Sequence, residues 1–507
     1  MINPVTRAET WHRPANSGYP DPLKMLGYEW PRVEELRATP RDRWPSPDAL
    51  PDVLEKVAEL FEECGWDDFA LRTHVEVLQF RRESGDPVKL RRVLTPLRAN
   101  LMRQERYEEA LPVALEELDF AWQVAVPGDY STERANVARY WVIDLLGKLG
   151  RHEESAHHAA AAIEELRDQG PIQHAAPPGY RLAHAHSEHS RRLEVLGDFD
   201  QAASARAVAA AFWREHADEA TLNCYLALDE LSRLQLRLGR FEESRASAVE
   251  SVEVMRRGAE NDDWHLKTLH AGALHNHGNR LHALGLDEEA VVAAQEAVAA
   301  YRTLATQAER RALIMKMELH TSLALVSLGS RLHDVGRVGE ALAASDEALE
   351  IASRHDDREL GRRELARAWN NRASLLLTLE SHVEAVEAAS RSLDLYRTAE
   401  GKAMARNTFA LASARVGSLD AALEASLRSV AEYREWTATD PYEYTWLLAD
   451  ALTDHAIIRS LRSERAEAGA AISESLVLQE ELAAANPGRF QRELDRAKSV
   501  ADHLPER

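Results

Sequence analysis

The stretch SRLQLRLGRFEESRASAVES, residues 232–251, decides the fold of this chain of 507 residues. Inside it, GRFEES at 239–244 has the form of a turn between two helices, because a glycine that ends one helix precedes an acidic pair suited to the next helix's first turn. Similar phrases recur every 37 to 51 residues, which indicates an internal repeat. They read GWDDFA at 65–70, QERYEEA at 104–110, GRHEES at 150–155, GDFDQA at 197–202, GLDEEA at 285–290, GRVGEA at 336–341, SHVEA at 381–385, GSLDAA at 417–422 and SERAEA at 463–468.

Two columns of small residues accompany the last residue of each phrase, which is always Ala or Ser. Twelve residues before it stand Ala58, Arg98, Ile143, Ser190, Ser232, Gly278, Gly329, Ala373, Ala410 and Ala456. Seven residues after it stand Val77, Glu117, Ala162, Ala209, Ser251, Ala297, Ala348, Ser392, Ser429 and Ser475. In each column eight of ten residues are Gly, Ala or Ser, against roughly a quarter of the whole chain. Small residues at fixed spacing predict helices that pack closely.

These three columns resemble positions 8, 20 and 27 of the tetratricopeptide repeat. The resemblance covers residues 50 to 485 and implies an all-α fold, a right-handed α-solenoid of about ten helix–turn–helix repeats. The family unit has about 34 residues, whereas this one averages about 44, so we expect longer helices. Long repeats of this kind resemble those of kinesin light chains, of sensor halves of bacterial signal-transduction ATPases and of stand-alone actinobacterial repeat proteins. The segment LAAANPGRF at 482–490 is similar to the last group.

The two ends differ from the repeats. Residues 1–50 carry eight prolines together with Trp11, Trp30 and Trp44, and this proline density is expected to prevent a continuous helix. We therefore predict a Pro/Trp-rich N-terminal cap segment over 1–50 and a repeat array over 51–485. Whether residues 1–50 cap the array or occupy its groove stays open.

A C-terminal capping helix is predicted over residues 486–507. The segment 488–504 has an amphipathic pattern through Phe490, Leu494, Ala497 and Leu504. Repeat arrays need ends with a polar outer face, and a single such helix provides one.

Charge and composition narrow the function. The net charge of −22 opposes binding to nucleic-acid backbones. The start of the chain lacks the pattern of a secretory signal, and we expect no transmembrane helix and no membrane association. Cys64 and Cys224 lie far apart without zinc-ligand spacing. These features predict a cytoplasmic protein of undetermined oligomeric state.

Catalytic motifs are not found, so we predict that the chain is not an enzyme and has no cofactor or resident metal. The histidines of HEESAH at 152–157 are five residues apart, whereas a zinc helix needs four. His186 and His189 fall on family positions 4 and 7, which face the core of the repeat, so we expect packing there rather than metal binding. An enzyme site built from the His-rich repeats remains a minor alternative.

The inner groove is the candidate binding surface. In the family it is lined by positions 2, 5, 9, 12 and 13 of each first helix, with position 6 close by. Repeats that grip a peptide's terminal carboxylate carry Lys, Arg and Asn there, since Arg forks onto carboxylates and Asn pairs with peptide backbone in both directions. The candidate groove residues are Arg191, Arg233, Arg237, His275, Asn279, His282, Asn370 and Asn371.

The predicted function is a non-enzymatic scaffold or adaptor that binds a protein or peptide partner in this groove. Two alternatives stay open. One is a groove that carries ordinary solvated polar residues only, and the other is a regulator that senses a ligand or signal peptide and acts through a separate partner. The sequence does not identify the partner.

Overall fold

A computed structural model of the chain describes residues 21–167, 169–170, 176–260 and 263–504. Trp11 and most of the prolines of the N-terminal segment's first half lie outside them. The described residues form 22 α-helices and one short 3-10 helix at Arg41–Arg43. Two compact units divide the chain, Met1–Phe212 and Trp213–Arg507.

The N-terminal unit contains α1 to α8 and most of α9. These helices are α1 Pro22–Ala38, α2 Ala49–Glu63, α3 Asp67–Ser84, α4 Pro87–Arg103, α5 Tyr107–Gln123, α6 Tyr130–Lys148, α7 His152–Arg167, α8 Pro178–Val195 and α9 Phe199–Glu215.

The C-terminal unit contains the end of α9 and thirteen further helices among its described residues. They are α10 Thr221–Arg237, α11 Phe241–Ala259, α12 Trp264–Ala283, α13 Asp287–Gln307, α14 Arg311–Asp334, α15 Val338–Ser353, α16 Glu359–Thr378, α17 His382–Leu395, α18 Ala399–Arg415, α19 Leu419–Thr439, α20 Pro441–Leu461, α21 Arg465–Ala485 and α22 Pro487–His503.

The recurring phrase is the turn between the two helices of each pair. Its glycine adopts a left-handed backbone, as at Gly239 with φ 70°, which glycine does without steric cost. Three phrases lack that glycine. There Glu105, Glu380 and Ser463 take the same left-handed conformation, with φ of 57°, 58° and 66°. The turn geometry is therefore preserved even where the residue type is unfavourable.

The small-residue columns are the packing contacts of each pair. All ten residues at position 20 are fully buried. Ser232 and Ser244, at positions 8 and 20 of one pair, donate hydrogen bonds to each other's backbone carbonyls at 2.8 and 2.7 Å. Ser392 at position 27 donates to the Ala366 carbonyl of the preceding helix at 2.9 Å. Helices that approach this closely have no room for larger side chains, so the packing role of the columns is confirmed.

The two charged exceptions in these columns belong to the same repeat and pair with each other. Arg98 at position 8 donates from Nε to Glu117 Oε2 at position 27, over 2.7 Å, and both side chains are buried. The Arg98 guanidinium also lies 4.4 Å from the Trp141 ring centre. This repeat therefore has a buried ion pair where the other repeats have a contact between small residues. Removing either partner would leave the other charge buried and unpaired.

The second helices of successive repeats are linked by a ladder of arginine–glutamate pairs on their outer side. In each pair an arginine at position 32 meets a glutamate at position 26 of the next repeat, and both side chains are partly exposed. The pairs are Arg82–Glu116 in the N-terminal unit, and Arg214–Glu250, Arg302–Glu347 and Arg434–Glu474 in the C-terminal unit. Much of the charge on this face is thus compensated within the protein.

The N-terminal segment contains the helix α1, which ends before the segment does, and the proline content was expected to prevent a continuous helix. In α1, Pro22 occupies the first turn, where no hydrogen bond to its nitrogen is needed. Pro31 lies inside the helix and removes one hydrogen bond. Burial of Leu26 and Val33 in the core of the first repeats compensates for this loss. The described part of the segment packs against α2, with the Trp30 ring centre 6.2 Å from that of Phe61.

One described helix, α14, is long and apolar enough to cross a membrane by length and composition, which the sequence analysis had not anticipated. It packs between α13 and α15, and Arg331 and Asp334 stand in its last turn. This is the position of an ordinary array helix.

Candidate functional site

The first helices of the repeats form the inner layer of the C-terminal unit. Each packs on the next, from α12 to α14 and onward to α22. A cavity of about 340 Å³ opens on this layer between α14, α16 and α18. Its lining is Leu323, Val326, Ser327, Ser330, Arg331, His333, Arg367, Asn370, Asn371, Ser374, Leu375, Tyr396 and Met404.

The lining of this cavity contains two arginines, one histidine and several hydroxyls and amides, but no carboxylate. That composition contrasts with a chain that holds 84 acidic and 62 basic residues. The buried Oδ1 atoms of Asn370 and Asn371 have no hydrogen-bond partner among the described residues. Buried polar atoms are nearly always satisfied in folded proteins, so the two unpaired amide oxygens are an exception at the wall of this cavity.

Arg331 is the most deeply buried cation of the cavity. Burial lowers the pKa of its guanidinium to about 10. Its Nη2 donates to Asn279 Oδ1 at 3.4 Å, its Nη1 lies 3.7 Å from the Asp334 carboxylate, and its buried Nε has no partner in the described part of the chain. The nearby carboxylate is also engaged by Arg492 at 3.0 Å. The charge of Arg331 is thus only partly compensated.

His275 and Asn279 extend the polar surface onto α12. The Asn279 amide lies 3.2 Å from His275 Nε2. Burial, followed by the charge of Arg331, lowers the pKa of His275 to about 4, so its imidazole is neutral at pH 7. These two predicted groove residues, with Asn370 and Asn371, are brought close to one cavity by three successive first helices.

Arg233 and Arg237 lie on α10 and have partners. Arg233 donates to Glu230 at 2.7 Å. Arg237 donates to Asp440 at 2.7 Å, and its guanidinium lies 4.6 Å from the Tyr442 ring centre.

Within the described ranges, His282, Asp287 and Asp334 bring three possible ligand atoms close enough together to hold a metal ion. His282 Nδ1 lies 2.7 Å from Asp287 and 3.5 Å from Asp334. The Asp334 carboxylate is already paired with Arg492, and Arg331 lies 3.7 Å away. These arginines make the arrangement an ion-pair network.

Arg191 lies on α8 in the N-terminal unit, where its exposed side chain pairs with Glu188 on the same helix. The prediction that it shares a row with Arg233 stays a prediction. His186 and His189 are half-buried on α8, and burial lowers the pKa of both. At family position 7, His455 is buried and bonds Ser426 at 2.8 Å.

Sequence reasoning missed Arg331 as a site residue. It stands at position 10, outside the family's groove positions, but it lines the cavity and also donates to Asn279 on α12. The sequence signal for it was an arginine at position 10 in two successive repeats, Arg280 and Arg331.

No family model and no curated protein matches the sequence. Among solved structures, the apo form of RapI matches with a TM-score of 0.53 and 11% identity, covering 78% of this chain and 98% of RapI. A Signal Transduction ATPase with Numerous Domains that has a tetratricopeptide repeat sensor, from Pyrococcus horikoshii, matches with a TM-score of 0.41 and 14% identity, over 77% of this chain and 55% of its own. At such identities the likeness to RapI is one of fold. The helix pairs, their packing columns and this likeness make the chain a tetratricopeptide-like helical repeat protein.

Proposed function

We propose that this protein is a non-enzymatic scaffold that binds a protein or peptide segment on the inner layer of its C-terminal unit. The observation that carries the proposal is the cavity between α14, α16 and α18. In a strongly acidic chain, its lining contains Arg331, Arg367, Asn370 and Asn371 and no carboxylate. Such a lining suits a ligand that brings both an anionic group and backbone amides.

A peptide with a free carboxyl end has these features. A carboxylate accepts charge-assisted hydrogen bonds from guanidinium groups. Asn370 and Asn371 line the cavity, and side-chain amides are groups that pair with a peptide backbone. Arg367 and Asn371 stand at positions 2 and 6, which resembles the arrangement in repeats that hold a terminal carboxylate.

The repeat subtype, the location in the cell and the domain boundaries are also proposals. We infer a long-repeat type similar to stand-alone actinobacterial proteins, a cytoplasmic location, and a division into an N-terminal cap over 1–50, an array over 51–485 and a capping helix over 486–507. A ligand-sensing regulator that acts through a separate partner is the second candidate. It is supported by ion pairs between the first helices of distant repeats, such as Arg237–Asp440, close to the same inner layer.

The test is selection from a library of peptides with free C-termini on the purified protein, followed by titration of enriched peptides. We expect Arg367→Ala with Asn371→Ala to weaken binding by about 2–4 kcal/mol, since charge-assisted hydrogen bonds contribute about 1.5–3 kcal/mol and neutral ones about 1. The matched control is Arg302→Ala, which removes an arginine from the outer ladder.

Two outcomes would count against the cavity. Peptides that bind the double variant as tightly as the parent would place the surface elsewhere. Loss of binding in Arg191→Ala with Arg233→Ala, but not in the cavity variant, would transfer the site to those two residues and restore the row predicted from the sequence.

A further inference from the structure

The C-terminal unit closes on itself along a line of contacts that we call the seam. At the seam, the C-terminal ends of α10, α12 and α14 meet the N-terminal ends of α20 and α22. Arg237 of α10 pairs with Asp440, and the Ala283 carbonyl of α12 accepts from Asn486 Nδ2 at 2.9 Å. Both contacts join residues 203 positions apart. Five repeats therefore complete one turn of this unit.

The helix ends at the seam use the same side chains for two purposes. Asp440 caps α20 by accepting from Glu443 N at 3.3 Å, and Asn486 caps α22 by accepting from Arg489 N at 3.2 Å. Each cap residue also binds a helix of the earlier repeats. A helix C-terminus thus meets a helix N-terminus, where the opposite ends of the two helix dipoles attract.

A third contact extends the seam along α22. Arg492 donates to the Asp334 backbone carbonyl at 2.9 Å and to its carboxylate at 3.0 Å. Between these contacts the backbones almost touch, because a Cβ on Gly285 would lie 2.2 Å from the carbonyl carbon of Gly488. The side-chain contacts described here are hydrogen bonds, ion pairs and one arginine near a tyrosine ring.

We propose that the seam is an electrostatic latch that opens and closes while the helix pairs stay folded. The repeats are held together by buried small residues, whereas the seam depends on two ion pairs in which one partner is partly exposed, Asp440 at 34% and Arg492 at 54%, and such pairs weaken in salt. We therefore expect salt to affect the seam more than the packing of the repeats. Opening the seam widens the turn whose inner layer carries the cavity, and this consequence for ligand access rests on the proposed function.

The experiment measures the width of the seam without any ligand. Spin labels are placed at Glu242→Cys and Thr439→Cys, two exposed positions beside the Arg237–Asp440 contact, and their separation is measured by pulsed electron resonance. We expect one narrow distance distribution in the parent at low salt. A second, longer distance should appear in Arg237→Ala with Arg492→Ala, and in the parent at about 1 M salt, where the Debye length is about 3 Å.

The control is Arg302→Ala, which removes an equally exposed arginine from an ion pair away from the seam and should keep the narrow distribution. Circular dichroism must show unchanged helix content in the double variant. An unchanged distance in both the variant and high salt would overturn the proposal, as would a longer distance that appears only with loss of helix. Because no peptide is used, neither result bears on the proposed binding site.

Discussion

Replacing Gly278 with leucine tests whether the two helices of a repeat pack as closely as the small-residue columns predict. The position lies on α12, where an added Cβ would sit 3.4 Å from both the Ala290 carbonyl oxygen and the Ala294 nitrogen of α13. A Cβ alone fits at that distance. The three further carbons of leucine do not, because backbone atoms of the facing helix occupy the space. Overpacking of this kind costs typically about 1–3 kcal/mol, and we expect about 3 kcal/mol here because the obstacle is backbone.

The matched control is the same substitution at Gly339. That glycine lies in helix α15, is exposed, and has no atom within 4 Å of its added Cβ. Leucine there should stabilise the helix by up to about 1 kcal/mol, because glycine has poor helix propensity.

Thermal unfolding followed by circular dichroism is the assay. At about 2 °C per kcal/mol for a unit of this size, Gly278→Leu should lower the melting temperature by about 6 °C, while Gly339→Leu should leave it equal or higher. A change within about one degree for Gly278→Leu would refute the register of the repeats. Equal losses at both glycines would show that leucine, rather than its position, is responsible.

Three further outcomes are expected. Glu117→Ala should destabilise the N-terminal unit by about 3–5 kcal/mol in urea unfolding, because it leaves Arg98 buried without a partner. Adding Arg98→Ala should recover part of that loss, and strictly additive losses would contradict the pairing. Burial lowers the pKa of His275 from 6.5 to about 4 in the folded state, so the unfolded state binds more protons and stability falls as the pH drops from 6.5 to 4. His275→Gln should make the melting temperature depend less on pH in this range, and an unchanged dependence would show that His275 is not the group that titrates. Chelator should leave the melting temperature unchanged, whereas a drop of more than a few degrees would mean that a structural metal is bound and that His186 and His189 are wrongly assigned to packing.

The sequence predicted the features that repeat. A residue at position 20 meets the same helix in every pair, so each of the ten copies reports the same contact, and all are buried. The ion pair of Arg98 and Glu117 was visible only as two exceptions in separate columns. Their coincidence in one repeat is the sequence signal for a buried ion pair.

Features that depend on the curvature of the array could not be predicted in the same way. The meeting of Arg237 with Asp440 requires the number of repeats in one turn, which small rotations between successive pairs determine. The helix of Pro22–Ala38 was missed for a different reason. The proline density of residues 1–50 was expected to prevent a continuous helix, although Pro22 stands in the first turn, where it fits.

The proposed function is tested most directly by comparing one selected peptide with a free C-terminus and the same peptide with an amidated C-terminus. The cavity lining contains Arg331 and Arg367 and no carboxylate, and the carboxylates 3.7 Å from these guanidinium groups, Asp334 and Glu364, lie outside the lining. Amidation should therefore weaken binding to the parent roughly 10- to 150-fold, the equivalent of a charge-assisted hydrogen bond of about 1.5–3 kcal/mol. In Arg367→Ala the difference between the two peptides should shrink. Equal affinity of the two peptides for the parent protein would contradict the carboxylate-binding cavity.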